Sequence, residues 1–432
     1  MQKKKIEFSF PLSQQQPVEI HLQKETGELS NIIVSTTRTN SRVEDIPIRV
    51  EVIGKDEVNE ETNIKPTNIS KLLLESSSIQ AQQTSAVNGN VSMRLQGLDG
   101  KYTQILKDGF PLYGGFAQGL SIMQIPPLDL KQIEIIKGSS SSLYGSDAIG
   151  GIINLISKQP HEKRELTFLG NRTSQSGTDI DGYFSQKWKK IGLTFLTANN
   201  FQKAVDVSKN GFSDVPRTKT FTITPTFYYY FNPKTTLHFG LNGTFDNRKG
   251  SDMLVLKNKP DSLHQFYEQN ISNRISSQFL FEKKFNKSNS LTIKNSVSNF
   301  KRGITQPASA FNGNQTSTYS EASYNFKIAK QQFVAGVNVT SEKFIEDSSK
   351  SHLQRNYNYS TTGLFLQDDW KPTQKFTLEA GLRTDYQNQF GTFVLPRLAA
   401  MYKFNKEFYV RAGSGLGYKL PTIFSTEAEL AG

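Results

Sequence analysis

From about Pro160 onward, apolar and polar residues alternate with a period of two, the pattern of strands that show one face to each of two environments. Thr220 to Phe231 is the clearest stretch: Phe221, Ile223, Phe227, Tyr229 and Phe231 fall on one face, and Thr220, Thr222, Thr224 and Thr226 on the other. Leu237, Phe239, Leu241 and Phe245 oppose His238, Asn242, Thr244 and Asp246 in the same way. Phe376, Leu378, Ala380 and Leu382 oppose Thr377, Glu379, Arg383 and Asp385. These predicted strands are long, roughly 10 to 14 residues against the usual 5 or 6 of globular sheets. Aromatic residues gather near their ends, as in the girdles of membrane barrels. Connections alternate in length: Trp188-Lys189-Lys190 and Asn232-Pro233-Lys234 are short, whereas Gln202 to Arg217, Asn247 to Asn273 and Glu346 to Asn358 are long. About thirteen strands are expected after Pro160, and bacterial single-chain barrels carry an even number, so the expectation is an incomplete barrel with unpaired edges near its last strand.

Before Pro160 the pattern is mixed. Pro47 to Ile53 alternates as a strand, and Asn68 can cap a short helix through Ser70 to Leu74. Further strands are expected at Val91 to Leu95, Tyr102 to Lys107 and Gln132 to Lys137, punctuated by Gly97, Gly100, Gly109 and Gly138. Together they predict a compact α+β domain of roughly 110 residues. Upstream, the run Asn31-Ile32-Ile33-Val34-Ser35-Thr36-Thr37-Arg38 is extended and β-branched, with no adjacent partner strand. Residues 1–24 read as two short strands, Lys5 to Phe10 and Pro17 to Leu22, too few to bury a core.

Composition narrows the environment. The 432 residues are 36% hydrophobic, with 30 Phe and 16 Tyr, and the mean hydropathy is −0.49. No run approaches the roughly 18 apolar residues of a transmembrane helix, but a transmembrane strand meets lipid only at every second residue, so a barrel stays open. The charge of +12, from 51 Lys plus Arg against 39 Asp plus Glu, is dispersed, which points to anionic lipid or an anionic ligand and away from nucleic acid. With no Cys there are no disulfides, zinc ribbons or iron–sulfur clusters, and five scattered His argue against a dedicated metal site. No catalytic triad or phosphate loop is present, so neither an enzyme nor a cofactor is expected. Met1 to Pro11 carries Lys3, Lys4 and Lys5 but too short an apolar run for a signal peptide, and the expectation is a sequence that starts inside a longer chain.

The stretch from Ile133-Glu134-Ile135-Ile136-Lys137-Gly138 through Leu143-Tyr144-Gly145 to Gly150-Gly151-Ile152-Ile153-Asn154 resembles, without a gap, the plug signature of TonB-dependent receptors. Met93-Arg94-Leu95-Gln96-Gly97 with Leu106-Lys107-Asp108-Gly109-Phe110-Pro111 resembles a second plug signature, in the same order. Leu366-Gln367-Asp368-Asp369-Trp370, Leu382-Arg383-Thr384-Asp385-Tyr386, Leu395-Pro396-Arg397 and Gly417 to Thr422 resemble successive barrel strands of the family. The implied fold is mainly β: a transmembrane antiparallel barrel, of about 22 strands in the family, with an α+β plug in its lumen. The implied organisation is residues 1–24 as the remnant of a carboxypeptidase-regulatory-like domain of the kind found on receptors of Bacteroidetes, 28–40 as TonB box and linker, 41–160 as plug and 161–432 as partial barrel.

What the resemblance implies about function is active uptake. Asn31, Ile32, Ile33, Val34, Ser35 and Thr36 resemble the TonB box, which pairs with TonB by strand addition, ExbB and ExbD acting indirectly. Ligand contact is expected at a plug apical loop through Phe110, Tyr113, Phe116 and Gln118. Arg94, Glu134 and Lys137 are expected in structural ion pairs, and Arg383 and Arg411 on the lumen face would favour an anionic cargo. The ligand implied is an iron–siderophore complex, with cobalamin the nearest alternative. Outer-membrane lipid and lipopolysaccharide would surround the barrel, and the plug and N-terminus would face the periplasm. A passive porin or a secreted β-sandwich adhesin is the rival reading.

Overall fold

The computed structural model describes residues 33–39, 41–83, 85, 87–112, 120–347, 355–405 and 408–421. The first part of the chain forms β1 (Ile33–Val34), β2 (Ser41–Arg42), β3 (Arg49–Ile53), α1 (Lys55–Ile64), α2 (Ser70–Leu73), β4 (Ile79–Gln83), β5 (Val91–Leu95), β6 (Thr103–Lys107), β7 (Phe110–Pro111), α3 (Leu120–Met123), β8 (Leu130–Lys137), α4 (Ser141–Tyr144) and β9 (Gly151–Ser157). Five of these strands make one sheet in the order β3-β8-β9-β6-β7, and β4-β5 and β1-β2 make separate pairs. Asn68 Oδ1 accepts from Ser70 N at 3.0 Å and starts α2. Helix α1 is almost wholly polar, with Val58 and Thr62, four residues apart, as its buried positions.

Both faces of this plug sheet are buried. Ile133 and Ile135 of β8, with Ile153 and Leu155 of β9, pack against Val58, Leu72, Leu73 and Leu95 on one side. Ile136 and Ile152 face the other way, toward Val34, Tyr144 and two residues of the surrounding wall, Val334 and Phe365.

That wall is one antiparallel meander: β10 (Glu165–Arg172), β11 (Gly177–Trp188), β12 (Ile191–Gln202), β13 (Arg217–Asn232), β14 (Thr235–Ser251), β15 (Tyr267–Lys284), β16 (Ser290–Thr305), β17 (Ala310–Ile328), β18 (Gln331–Glu346), β19 (Tyr357–Trp370), β20 (Phe376–Gln387), β21 (Gly391–Lys403) and β22 (Tyr409–Gly415). Each strand pairs with its neighbours in sequence, and among the described residues β10 and β22 have no second partner. The unpaired edges match the expectation. The sheet curls round the plug, since lumen residues touch it from β11, where Thr67 donates to Asp179, to β22, where Arg411 donates to the Val43 carbonyl.

The alternation is inside out relative to a soluble protein. Phe168, Ile180, Phe227, Ile275, Leu364 and Leu382 are exposed, while Thr222, Asp246, Ser272, Ser298, Asn338 and Asp385 are buried against the lumen. An apolar exterior needs lipid, and a polar backbone in lipid needs a barrel-type sheet. Exposed aromatics crowd the end where turns are short: Tyr229 and Phe231, Phe285 and Tyr324, and Tyr402, Phe404 and Phe408 all sit there in ring contact.

Candidate functional site

The site begins with an alternation inside β8. Ile133 and Ile135 point into the plug core, which aims Glu134 at the opposite face, where it is fully buried. Over it lies the segment that leaves β1. Ser35 N donates to Glu134 Oε1 at 3.0 Å and Thr36 N to Oε2 at 2.8 Å. Both hydroxyls donate to the same carboxylate, and Gln132 Nε2 donates at 2.8 Å. Asn154 Nδ2 on β9 donates to Thr36 Oγ1 at 2.8 Å, and the Tyr144 hydroxyl donates to the Thr36 carbonyl at 2.6 Å. Val34 is fully buried, whereas Ile33 stays 54% exposed. A short turn, closed by Arg38 N on the Ser35 carbonyl at 2.9 Å, leads to β2 and the pairs Ile33–Arg42 and Val34–Ser41.

Arg38 ties this segment to the wall. Its Nη2 lies 2.7 Å from Glu321 Oε2 on β17 and 3.1 Å from the Leu143 carbonyl. The guanidinium carbon stands 4.7 Å from the Tyr144 ring and 4.5 Å from the Phe365 ring. Tyr319 donates to the same Glu321 oxygen, and Asn325 Nδ2 donates to the Arg38 carbonyl at 3.2 Å. Burial opposes the Arg38 charge most, but Glu321 together with Tyr144 and Tyr319 more than offsets it, so the guanidinium pKa lies above its ordinary value. Burial pushes the Tyr144 phenol up to about 12, so it stays a neutral donor. Removing one member of a buried pair of this kind costs about 3–5 kcal/mol.

Two expectations are corrected here. Glu134, expected in an ion pair, is instead satisfied by N–H and O–H donors, because strand alternation points it away from Lys137 and toward the box-like segment. Phe110, expected at the apex, is buried at the opposite end of the plug. Its neighbour Gly109 accepts at its carbonyl from Lys294 Nζ, 3.2 Å away, four residues from the short-turn end of β16. The reason is topological: β6 runs parallel to β9, and β9 must lead toward the start of β10, so the turn after Lys107 falls at that same end. The plug reaches the long-connection end through the β4–β5 hairpin, where Asn88 Nδ2 donates to Glu268 Oε1 at 2.7 Å.

Lys137 pairs with Glu51 across β8 and β3. Arg94 sits opposite Gln80 on β5, with no ion pair among the described residues. Arg383 and Arg411 face the lumen but bind protein: Arg383 pairs with Asp385 at 2.6 Å and donates to Asn338 Oδ1 at 2.7 Å, and Arg411 donates to Val43. Asn31, Ile32, Tyr113, Phe116 and Gln118 lie outside the described residues, as do residues 1–24. Arg38, Glu321 and Asn154 are the contacts that sequence reasoning did not assign. Arg38 closes the box-like run and Asn154 lies within the plug signature, but Glu321 is 283 residues from Arg38 and has no local signal.

Between the plug and strands β12 to β17 lies a cavity of about 640 Å³, edged by Ile33 and Arg38. Hydroxyls line its wall side, among them Thr222, Thr224, Ser276 and Ser296, while Phe110 and Asn154 face it from the plug.

A wall with an apolar exterior, a polar lumen and an α+β domain filling it defines a plugged outer-membrane-type barrel. Comparison with known families agrees: residues 42–152 match the TonB-dependent receptor plug domain, and residues 166–429 match the TonB-dependent receptor-like β-barrel. The chain belongs to the TonB-dependent receptors. It is 22% identical over 418 residues to the iron-regulated outer membrane virulence protein of Vibrio cholerae, covering 88% of this chain and 58% of that protein. It is also 22% identical over 433 residues to the vitamin B12 transporter BtuB of the same species, covering 91% of this chain and 63% of that one. Among solved structures, a mutant of the ferric enterobactin receptor PfeA of Pseudomonas aeruginosa superposes with a TM-score of 0.72 at 14% identity, over 91% of this chain and 64% of that one. The chain thus spans less than two thirds of the length of these proteins.

Proposed function

We propose that this chain acts, within its full-length receptor, in TonB-dependent uptake of a ferric siderophore across the outer membrane. The observation that carries the reading is the latched segment: a two-residue strand and the turn after it, held to the plug largely through the Glu134 side chain, with Ile33 exposed beside it. Such a stretch can be drawn off and paired along its backbone with a partner strand. In this reading Asn31 to Thr36 are the TonB-binding residues, TonB is energised through ExbB and ExbD, and the short-turn end and the plug's latched segment face the periplasm. Lipid and lipopolysaccharide cover the exposed apolar belt. Domain limits of 28–40 for box and linker, 41–160 for plug and 161–432 for barrel belong to the same proposal, with residues 1–24 as the end of a preceding domain. Tyr113, Phe116 and Gln118 are proposed cargo contacts, joined by the hairpin around Asn88. No covalent chemistry is required, and the protein is not an enzyme.

A siderophore is favoured over cobalamin because the superposed structure is that of a ferric enterobactin receptor and the Vibrio virulence protein is named as iron-regulated. BtuB keeps cobalamin as the second reading. Cells making the full-length receptor, with and without TonB, separate these when given radio-iron as ferric enterobactin or labelled cyanocobalamin. TonB-dependent accumulation of iron alone is expected. Accumulation of cyanocobalamin alone would replace the cargo, and equal accumulation without TonB would make the protein a passive pore.

A further inference from the structure

Glu321 is a carboxylate with one oxygen engaged and one idle. Oε2 takes both Arg38 and the Tyr319 hydroxyl, while Oε1 accepts no hydrogen bond among the described residues, although the side chain is buried. Directly across the β16–β17 pair, its register partner is Lys294. Opposed residues on one face have Cβ atoms about 4.5–5.5 Å apart, a gap that a lysine side chain spans easily. Yet among the described residues Lys294 pairs with no carboxylate. It reaches into the plug instead, donating to the Gly109 carbonyl at 3.2 Å with its ammonium 5.5 Å from the Phe110 ring. Gly109 has φ of +73°, and a Cβ there would lie 2.5 Å from Lys294 Nζ, so the close approach depends on glycine.

The same turn is bound to the box-like segment by a second route. Gly109 N donates to Asn154 Oδ1 at 3.1 Å, and the amide group of Asn154 donates onward to Thr36 Oγ1. The turn Asp108-Gly109-Phe110 borders the cavity between plug and wall, and both of these contacts hold it there.

We propose that Arg38 and Lys294 compete for Glu321, and that this exchange of cations couples departure of the box-like segment to release of the plug turn that bounds the cavity. While Arg38 occupies Glu321, Lys294 is repelled by it and holds Gly109. When the segment is withdrawn, Arg38 leaves a buried, uncompensated carboxylate, and Lys294 is the cation directly opposite. Its swing to Glu321 removes the donor from Gly109, while loss of Thr36 frees Asn154. The turn then keeps its bonds to β9, through Asp108 to Ser157 and Leu155, but loses both ties at Gly109, and the hydroxyl-lined cavity can widen along β12 to β17. Lys294 is a positioning residue in this scheme and touches no cargo. The proposal rests on the uptake reading for the event that draws the segment away, but its test needs neither cargo nor TonB.

That test is hydrogen exchange of the purified full-length receptor in detergent, read over residues 104–112. Arg38→Gln should speed exchange there about tenfold, because Glu321 then captures Lys294. Lys294→Met should do the same, and Arg38→Lys should stay near the parent. The deciding variant is Arg38→Gln combined with Glu321→Gln: with no charge to draw Lys294 away, protection should return to within about twofold of the parent. A double variant that exchanges as fast as Arg38→Gln would overturn the proposal, since Arg38 would then only be packing. So would an Arg38→Gln protein with parental exchange. Unchanged exchange in β15 and β16 confirms that the wall has folded, and failure of cargo uptake leaves this result untouched.

Discussion

Glu134 meets no cation among the described residues, and five donors from Ser35, Thr36 and Gln132 stand in its place. Hydrogen bonds to a charged group contribute about 1.5–3 kcal/mol each, so this one side chain is a principal anchor of the docked segment beside Val34 and the Arg38–Glu321 pair. Glu134→Ala should therefore release it. Because these 432 residues hold no cysteine, a nitroxide on Ile33→Cys reports the segment once any cysteine elsewhere in the full-length receptor is replaced by serine. In the full-length receptor the spectrum should be immobilised with Glu134 present and chiefly mobile with Glu134→Ala. An unchanged immobilised spectrum in the variant would show that Val34 packing, not the carboxylate, holds the segment. Single residues are also where the sequence was least legible. Glu134 could be named from its motif, but its partner could not, because whether a carboxylate meets a lysine or a row of N–H groups depends on which way the strand turns it.

At the scale of elements, the plug sheet depends on one backbone position. Gly151 opens β9 with φ of +143°, and a Cβ there would stand 2.2 Å from the Ile136 carbonyl of β8. Gly151→Ala should lower stability by about 2–4 kcal/mol, read as a shift of the urea midpoint in detergent. Gly170→Ala in β10, with nothing within 4 Å, is the control and should shift it little. Equal midpoints for the two would contradict the sheet geometry. Elements were legible in proportion to how differently their two faces are solvated. β13 was plain because its Thr face meets the lumen and its Phe face meets lipid. β14 and β15 run on to Ser251 and back from Tyr267, beyond the expected Asn247 and Asn273, because both faces there are largely polar and no alternation survives. Helix α1 escaped notice for the same reason, since Val58 and Thr62 are a thin stripe in a polar segment. The position of Phe110 was hidden differently: it follows from the parallel pairing of β6 with β9, which no local pattern encodes.

At the scale of the molecule, the plug and wall are joined by contacts of two kinds. Near β19 to β21 the joint is dense, with α4 packed on the wall and Arg383 donating to the Leu143 carbonyl. Along β12 to β17 it is loose, with the cavity between and the Lys294 and Arg38 contacts crossing it. The latched segment lies where the two kinds meet, with Arg38 reaching Glu321 on β17 as well as the Phe365 ring on β19 and the Leu143 carbonyl. A pull on it, as the proposed handle for uptake, therefore loads both. The most direct test is Ile33→Pro in the full-length receptor, which removes a backbone donor and fixes φ in the strand to be paired, while leaving the cargo-facing hairpin around Asn88 untouched. Surface binding of ferric enterobactin should persist, and energised accumulation should fall at least about tenfold. Parental accumulation by the Ile33→Pro receptor would contradict the account.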